Sequence, residues 1–423
     1  MWPKVICVVE DNWVVPVQFS DMSVGQDITS DVEIPLIVAV EQKNRSVLIL
    51  CPNGKREGSV FCASKGDLQE DTAGDTRDST LCAPKDKNGD NQEASENVMP
   101  SVIWRWIPDS DTAIAPQHRR WFDFLNEVKV TSDSKGIIVT ASGGGVARVG
   151  LETCSVEWYC FVGGNPHSVC ELPWGDVAYV ASDGSTVGLL SPDPTGLTMK
   201  LITSIPLYDA HGIWYDRGSK QLIALGAHEV LHIRCTQLSP RAKAKEKTNI
   251  ASTTIADKPP TQRQVVAPLS QSEAIEPNYP DPTGIMDVTA RVLLPRRSSG
   301  HEESDHGGHD LSPCDADGSQ FFVTDLHGVW VYSPSQRTFD EFIPLHGVED
   351  VKSISIDSTS GAIIYVQAQE EWWTDTIHHA KNQAQWRIPG ARFYKARWLS
   401  PQAAHIVRCA PIPQGKDTND SSN

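Results

Sequence analysis

The stretch His306-Gly307-Gly308-His309-Asp310-Leu311-Ser312-Pro313 opens a short strand whose pattern returns along the whole chain. Each copy continues into a second, apolar strand, then a tight turn and a third strand. The second strands are continuous apolar runs rich in β-branched and aromatic residues, as is typical of strands buried on both faces. Six such runs occur: Ile37-Val38-Ala39-Val40, Ile137-Ile138-Val139-Thr140, Val177-Ala178-Tyr179-Val180, Leu222-Ile223-Ala224-Leu225, Phe321-Phe322-Val323-Thr324 and Ile363-Ile364-Tyr365-Val366.

The copies recur at the spacing of propeller blades. When they are aligned on the second strand, five positions fall in register with His309, namely Glu127, His167, His211, Lys352 and Lys395. Neighbouring positions are 40 to 44 residues apart once the polar tract 236–289 is set aside. A period in this range, with several strands per unit, predicts a β-propeller. We therefore predict an all-β fold, a single six-bladed β-propeller over residues 34–400.

The two ends of the repeat predict how the ring closes. The first unit lacks an opening strand, and the final strand, residues 392–399, has no hairpin after it. We expect this C-terminal strand to complete the first blade, because closure removes free sheet edges that would otherwise pair with other chains. Residues 1–33 are then a poorly defined N-terminal segment, and residues 401–423 a C-terminal tail.

Two long insertions interrupt the repeat. Residues 53–100 and 236–289 are polar tracts that cannot bury enough apolar surface to order themselves, so we predict that both are disordered. Each falls between the third and fourth strands of a blade. In a propeller those connections lie on the face opposite the one where the innermost strands begin, so the insertions should leave that opening uncovered.

Composition limits the partners and the compartment. The formal net charge of −17 argues against a sequence-independent nucleic-acid surface. The ten cysteines include no CxxC pair, which disfavours a zinc ribbon, and no run of about 18 apolar residues predicts a membrane span. The N-terminus lacks a clear signal peptide. We expect a monomer that is cytoplasmic as the sequence is written, and secreted if its true start differs.

The residues in register predict a site on the propeller axis, where the innermost strands converge. Three neutral imidazoles facing one point suit a divalent transition metal such as Mn, Zn or Fe, so His167, His211 and His309 are the predicted metal ligands. Lys352 and Lys395 are the predicted catalytic residues. A lysine there neutralises a carboxylate, or acts as a base when burial lowers its pKa.

Further polar residues in the repeated motifs are predicted to bind the ligand. They are Glu41, Glu127, Ser168 and Asp310. The expected partner is a small molecule or carbohydrate held in the axial pocket. The alternative is that the polar axial residues only hydrogen-bond the waters of a central channel.

A set of six motifs resembles a family of uncharacterised six-bladed propeller proteins, over roughly residues 34–400. The motifs are Glu41-Gln42, Thr140-Ala141-Ser142-Gly143-Gly144-Gly145, Gly164-Asn165-Pro166-His167-Ser168, His211-Gly212, Gly308-His309-Asp310-Leu311 and Val351-Lys352-Ser353-Ile354. More distantly, the axial histidines resemble those of oligogalacturonate lyases, propeller enzymes in which a histidine-bound divalent metal helps to abstract a proton next to a uronate carboxylate. This resemblance implies a metal-dependent, carbohydrate-active lyase.

Three classes of function stay open from the sequence. The first is that lyase, with the metal on the histidines and the proton or carboxylate on a lysine. The second is a non-catalytic binder of a small polar or anionic ligand in the same pocket. The third is a protein-interaction scaffold that uses the propeller rim, for which the axial residues would be dispensable.

Overall fold

The structure is a computed structural model that describes residues 9–10, 13–14, 35–52, 97–236, 286–295, 307–315, 318–380 and 385–409. The chain divides into two compact units, Met1–Ile34 and Pro35–Asn423. In the first unit, Val9–Glu10 pairs antiparallel with Trp13–Val14. The second unit contains the predicted six-bladed propeller, which is confirmed.

Blades 1 to 3 are each a four-stranded antiparallel sheet, numbered from the innermost strand outwards. Blade 1 consists of Phe393–Trp398, Ile37–Glu41, Ser46–Cys51 and Ser101–Trp106. Blade 2 consists of Leu125–Val130, Gly136–Ala141, Gly145–Gly150 and Val156–Phe161. Blade 3 consists of Pro166–Glu171, Val177–Ala181, Thr186–Pro192 and Met199–Pro206.

Blades 4 to 6 repeat the same order. Blade 4 consists of Gly212–Asp216, Gln221–Leu225, Glu229–Cys235 and Met286–Leu293. Blade 5 consists of Asp310–Pro313, Phe321–Asp325, Gly328–Ser333 and Thr338–Glu341. Blade 6 consists of Val351–Ile356, Ile363–Gln367, Thr376–His379 and Gln385–Arg387. Two 3₁₀ helices, Pro116–Phe122 and Ile343–Leu345, lie in connections.

The C-terminal strand closes the ring as predicted. Phe393–Trp398 pairs antiparallel with Ile37–Glu41, with Trp398 opposite Ile37 and Phe393 opposite Glu41. Blade 1 is therefore built from the two ends of the propeller sequence. Its innermost strand is fully buried, since all six residues have little or no exposed surface.

The structure moves three predicted boundaries. Asn97–Val98, inside the tract predicted to be disordered, forms a fifth strand that pairs parallel with Gln385–Trp386 of blade 6. Residues 286–289 of the second tract belong to the outermost strand of blade 4. The predicted tail begins with an α-helix, Pro401–Cys409, which buries Ala403, Ala404 and Val407. The rest of each insertion, residues 53–96 and 237–285, lies outside the described residues.

The apolar second strands explain the core, and the axis differs from it. Val177–Ala181 and Phe321–Asp325 are buried along their whole length, because the faces of each blade pack against the neighbouring blades. Along the axis, by contrast, the innermost strands bury charged side chains almost completely, among them Glu127, Lys129, Asp310, Lys395 and Arg397. Buried charges are uncommon unless they are paired, so this concentration of charge makes the axis the candidate functional site.

Candidate functional site

Several innermost strands have a β-bulge near their first residues. An extra residue interrupts the pairing at Asn126 in blade 2, at His167 in blade 3 and at Lys352 in blade 6. Blade 1 carries one between Phe393 and Ala396. A bulge bends its strand and re-aims a side chain, which is why bulges are common beside binding sites.

These bulges correct the predicted register by one residue in two blades. The positions equivalent to His309 are Asn126 in blade 2 and Tyr394 in blade 1. Glu127 is opposite Thr140, as Asp310 is opposite Thr324, so Glu127 and Lys395 belong to a deeper layer together with Asp310. The sequence predicted one ring of axial side chains, whereas the structure arranges them in two layers.

The upper layer, which we call the axial mouth, consists of His167, His211, His309, Lys352 and Tyr394. The ring centroids of His167 and His211 are 4.2 Å apart, and those of His211 and His309 are 5.3 Å apart. The Nζ atom of Lys352 lies 3.0 Å from Nε2 of His309. The hydroxyl of Tyr394 lies 3.4 Å from Nδ1 of His167. The structure thus brings the three predicted histidines and Lys352 together.

The hydrogen bonds fix the protons on two of these imidazoles. Nδ1 of His211 donates to the carbonyl oxygen of Asp209 at 2.9 Å, so Nε2 of the neutral ring carries its lone pair. An ammonium can only donate, so Nε2 of His309 accepts from Lys352, and Nδ1 of His309 carries the proton. That Nδ1 has no hydrogen-bond partner among the described residues.

Burial keeps the three imidazoles of the mouth neutral. It lowers the pKa of His167 and His309 well below the ordinary value, and the neighbouring imidazoles and lysines add to this shift. Burial also lowers the pKa of His211 and of Lys352, although Asp209 and Asp350 oppose these two shifts. At neutral pH the three imidazoles are therefore uncharged.

The lower layer, which we call the axial charge network, consists of Glu127, Lys129, Asp310, Lys395 and Arg397. The Nζ atom of Lys395 lies 3.1 Å from Oδ1 of Asp310 and 3.4 Å from Oε2 of Glu127. Nη1 of Arg397 donates to Oδ2 of Asp310 at 2.7 Å, and Nη2 donates to both oxygens of Glu127. Each carboxylate thus meets both cations of the C-terminal strand.

Lys129 completes this network and extends it around the ring. Its Nζ donates to the hydroxyl of Ser168 in blade 3 at 2.8 Å and to the carbonyl of Ile213 in blade 4 at 2.6 Å. In blade 6, the backbone N–H of Ile354 donates to Asp310, and the Ile354 carbonyl accepts from Arg397. One hydrogen-bonded group therefore joins all six blades.

The charges of the network do not cancel. Three cations face two carboxylates, a formal excess of one positive charge. Burial alone would raise the pKa of Glu127 and Asp310, but Arg397 and Lys395 outweigh it and hold both values below the ordinary range. Burial lowers the pKa of Lys129 to about 8, so Lys129 loses its proton more readily than an ordinary lysine.

The remaining predicted residue, Glu41, is placed elsewhere. Its carboxylate accepts from the backbone N–H groups of Lys43, Asn44 and Arg392, so it closes the hairpin turn of blade 1. These bonds hold it at the turn and away from the axial network. Ser168, by contrast, donates to Oε2 of Glu127 at 3.1 Å and lies within the network.

Four axial residues were not predicted: Asn126, Lys129, Tyr394 and Arg397. For two of them, the spacing in the sequence could have indicated an axial position. Lys129 and Arg397 each lie two residues beyond a predicted position, and residues i and i+2 of a strand face the same side. No such indication exists for Asn126 and Tyr394, because the bulges that bring them into the ring do not show in the hydrophobic pattern.

The arrangement of the histidines bears on the predicted metal ion. Within the described ranges, no group of three or more His, Cys, Asp or Glu side chains has an arrangement that could hold one. The Nε2 lone pair of His309 already accepts from the ammonium of Lys352. A cation bound at that nitrogen would meet the lysine charge. The metal role of the three histidines stays a prediction.

Acid should destabilise the fold through the mouth. Unfolded histidine titrates near pH 6.5, whereas His167 and His309 resist protonation when folded. Stability should be complete above pH 6.5 and should fall as the pH drops below it, by about 1.4 kcal/mol per pH unit for each histidine. Urea unfolding between pH 7.5 and 5 measures this slope, above the range where carboxylates titrate. His167→Gln should reduce the slope, and an unchanged slope would contradict the assignment.

The fold and site define the class: a six-bladed β-propeller with a polar, charged axis. The chain belongs to the family of unknown function DUF6528, which matches residues 93–233 and 293–405. No curated protein matches the chain. Among the described residues, no helix is long and apolar enough to cross a membrane.

The solved structures to which the chain is similar are distant in sequence. A protein from Lactobacillus plantarum is 9% identical with a TM-score of 0.42, covering 65% of this chain and 74% of that one. The Cps50 (Swd1) β-propeller domain of Myceliophteria thermophila is 12% identical with a TM-score of 0.38, covering 60% of this chain and 64% of that one. Virginiamycin B lyase from Staphylococcus aureus is 11% identical with a TM-score of 0.36, covering 63% and 69%.

Proposed function

We propose that the axial mouth binds a small ligand that carries a carboxylate, with uronic acids as the leading class. The observation that carries this proposal is Lys352, whose side chain is only 5% exposed and whose Nζ is bound to a neutral imidazole. Its nearest carboxylate, Asp350, is 3.7 Å away and half-exposed. A buried ammonium with so little compensation favours an anionic partner.

The surrounding groups suit such an anion. The proton on Nδ1 of His309 has no acceptor in the described part of the chain, and the hydroxyl of Tyr394 is available beside His167. The positive excess of the charge network lies directly beneath. These features favour a carboxylate over the polar but neutral ligand that water-filled channels accommodate.

Binding measurements test the proposal. Galacturonate, glucuronate and succinate should bind to the wild-type protein in isothermal titration calorimetry, and galactose, which lacks the carboxylate, should not. Lys352→Met should weaken binding of these acids by at least about tenfold, since a charged hydrogen bond is lost. Lys200→Met, at an exposed lysine of blade 3, is the matched control and should leave affinity unchanged.

Three outcomes would overturn the proposal. They are failure of all three acids to bind, equal binding of galactose, and unaltered affinity in Lys352→Met. Elemental analysis of the same samples, before and after chelator treatment, tests the metal-dependent alternative. Stoichiometric Mn, Zn or Fe that is lost in His309→Ala would restore the three histidines as ligands.

A lyase reaction is the second candidate, and the proton state of His211 favours it. With Nδ1 held by Asp209, Nε2 is left to accept a proton from the carbon next to a bound carboxylate. The electron pair of that C–H bond forms a C=C bond, the C–O bond at the following carbon breaks, and the departing oxygen takes up a proton from water. Lys352 would balance the carboxylate charge. His211→Gln should then abolish formation of the unsaturated product from oligogalacturonate, followed by its ultraviolet absorbance, but should keep galacturonate binding.

A further inference from the structure

Four blades place a residue with a left-handed backbone two positions before the mouth position of their innermost strand. These residues, which we call the rim, have φ angles of 54°, 58°, 46° and 56° and are Phe124, Asn165, Asp209 and Asp350. The mouth positions that follow them are Asn126, His167, His211 and Lys352. The rim is therefore a repeated feature of the propeller, directly beside the proposed ligand site.

The rim conformation is held by the same hydrogen bond in three blades. The carbonyl oxygens of Phe124, Asn165 and Asp350 each accept from a backbone N–H in the turn between the second and third strands of their blade. The N···O distances are 2.8, 3.1 and 3.0 Å. Because the bond and the sign of φ are shared, the Cα–Cβ bonds at these positions start in the same direction relative to their strands.

The acidic rim side chains lie beside the mouth residues of their own blades. Oδ1 of Asp209 is 3.6 Å from Nδ1 of His211, and Oδ1 of Asp350 is 3.7 Å from Nζ of Lys352. Phe124 occupies the equivalent position in blade 2, so its ring stands at the rim of the mouth. This side chain is also accessible, since Phe124 is 52% exposed. The rim thus combines two carboxylates with one apolar ring.

Phe124 is an unusual residue for this position. Asn and Asp adopt the left-handed conformation more readily than other residues that have a side chain, and the other three rim positions carry them. For a bulky residue the same conformation is strained. In the part of the chain that the structure describes, Phe124 is the one aromatic residue with a positive φ. Neither backbone preference nor burial favours phenylalanine here, and strain of this kind is typical of functional sites.

We propose that Phe124 makes the mouth selective for sugar acids over open-chain acids. This selectivity rests on the function proposed for the mouth, in which Lys352 binds the carboxylate. The apolar C–H face of a sugar ring packs against the Phe124 ring, which an open-chain acid cannot cover. The carboxylate of Asp209, 41% exposed, accepts from a sugar hydroxyl. A second carboxylate on the ligand, as in succinate, instead meets the negative charge of the rim.

Phe124→Asn tests this role, because asparagine suits the backbone and removes the ring. In isothermal titration calorimetry the wild-type protein should bind glucuronate more tightly than succinate. In Phe124→Asn the affinity for glucuronate should fall at least about fivefold, through loss of the ring contact, whereas the affinity for succinate should not change. The urea midpoint of the variant should equal or exceed that of the wild type, since the strain is relieved. A purely structural role for Phe124 would not separate the two acids in this way.

Three further variants complete the test. Phe124→Tyr keeps the ring and should keep the affinity for glucuronate. Phe161→Asn is the matched control, because Phe161 is 49% exposed and ends the outermost strand of the same blade, and it should change neither affinity. Should Phe124→Asn fail to fold, Phe124→Leu takes its place, since it removes the flat ring and should weaken glucuronate binding about threefold.

The pattern of losses separates this selectivity from carboxylate binding itself. Lys352→Met should weaken both acids, whereas Phe124→Asn should weaken glucuronate alone. Three results would contradict the selectivity and leave the carboxylate site standing: unchanged glucuronate affinity without the Phe124 ring, equal loss of both acids, or the same loss in Phe161→Asn. If the wild-type protein binds neither acid, the carboxylate site and its selectivity are both overturned.

Discussion

Replacing Arg397 with methionine should lower the free energy of unfolding by about 3–5 kcal/mol, a large part of the 5–15 kcal/mol typical of a folded protein. The methionine fills much of the same volume, so little of this loss comes from packing. The loss arises because Glu127 and Asp310 stay buried, out of reach of solvent, with one cation fewer between them. Urea unfolding at pH 7.5 measures it.

Two further variants make this result specific to buried charge. Arg45 pairs with Asp109 and Asp123 at the surface, where its side chain is 34% exposed, so Arg45→Met should cost no more than about 1 kcal/mol. Adding Asp310→Asn to Arg397→Met removes a carboxylate that has lost the guanidinium bound to it, and should restore part of the stability. Equal losses in Arg397→Met and Arg45→Met would show that the network does not bear on stability.

Ending the chain after Gly390 should prevent the propeller from folding. The deletion removes the innermost strand of blade 1, leaves Ile37–Glu41 as an open edge and takes away Lys395 and Arg397 together. An exposed apolar edge pairs with other chains, so the product should aggregate. Size-exclusion chromatography and circular dichroism of the purified product measure the outcome.

A chain that ends after Ser400 is the control for this deletion. It keeps the strand and loses the helix Pro401–Cys409, whose buried side chains are two alanines and one valine, together with residues 410–423. It should fold, with stability lowered by about 1–3 kcal/mol. A cooperative, monomeric propeller in the chain that ends after Gly390 would show that the C-terminal strand is dispensable for closure.

The fold could be predicted from the sequence because its signal is repeated six times. A buried second strand such as Phe321–Asp325 must be apolar throughout, and six copies at one period leave little choice of architecture. Ring closure by Phe393–Trp398 could be predicted because the first unit lacks an opening strand and the last strand belongs to no unit of its own. These are properties of pattern and spacing, which a linear sequence displays directly.

The site could be predicted only to within one residue, for a physical reason. Sequence alignment does not show where a bulge adds a residue, and the bulges at Asn126 in blade 2 and between Phe393 and Ala396 in blade 1 shifted the predicted register by one position. Lys395 was therefore assigned to the mouth, although its ammonium lies in the layer below, between Glu127 and Asp310. The structure places most of the predicted residues on the axis, but their arrangement in two layers could be seen only from the pairing of strands.

Other features depended on contacts between distant parts of the chain. Asn97–Val98 looked like part of a polar tract, because its pairing partner, Gln385–Trp386, is far away in sequence. The bond from Lys352 to His309 likewise cannot be read from spacing, and it decides whether the imidazole lone pair is open to a metal. Which partner a side chain bonds to depends on the local three-dimensional geometry and not on the residue type alone.

The axial charge network also changes how the repeats depend on one another. In linear repeat proteins each unit contacts only its neighbours, so one end can come apart while the other holds. In this propeller all six blades are joined at the axis. Arg397 and Lys129 contact groups on each of the remaining blades, either directly or through Glu127 and Asp310. If one blade unfolds, buried charges on the other blades lose a hydrogen-bond or ion-pair partner, which destabilises those blades as well. The propeller should therefore melt as one cooperative body, and spectroscopic probes placed on opposite blades should report a single transition.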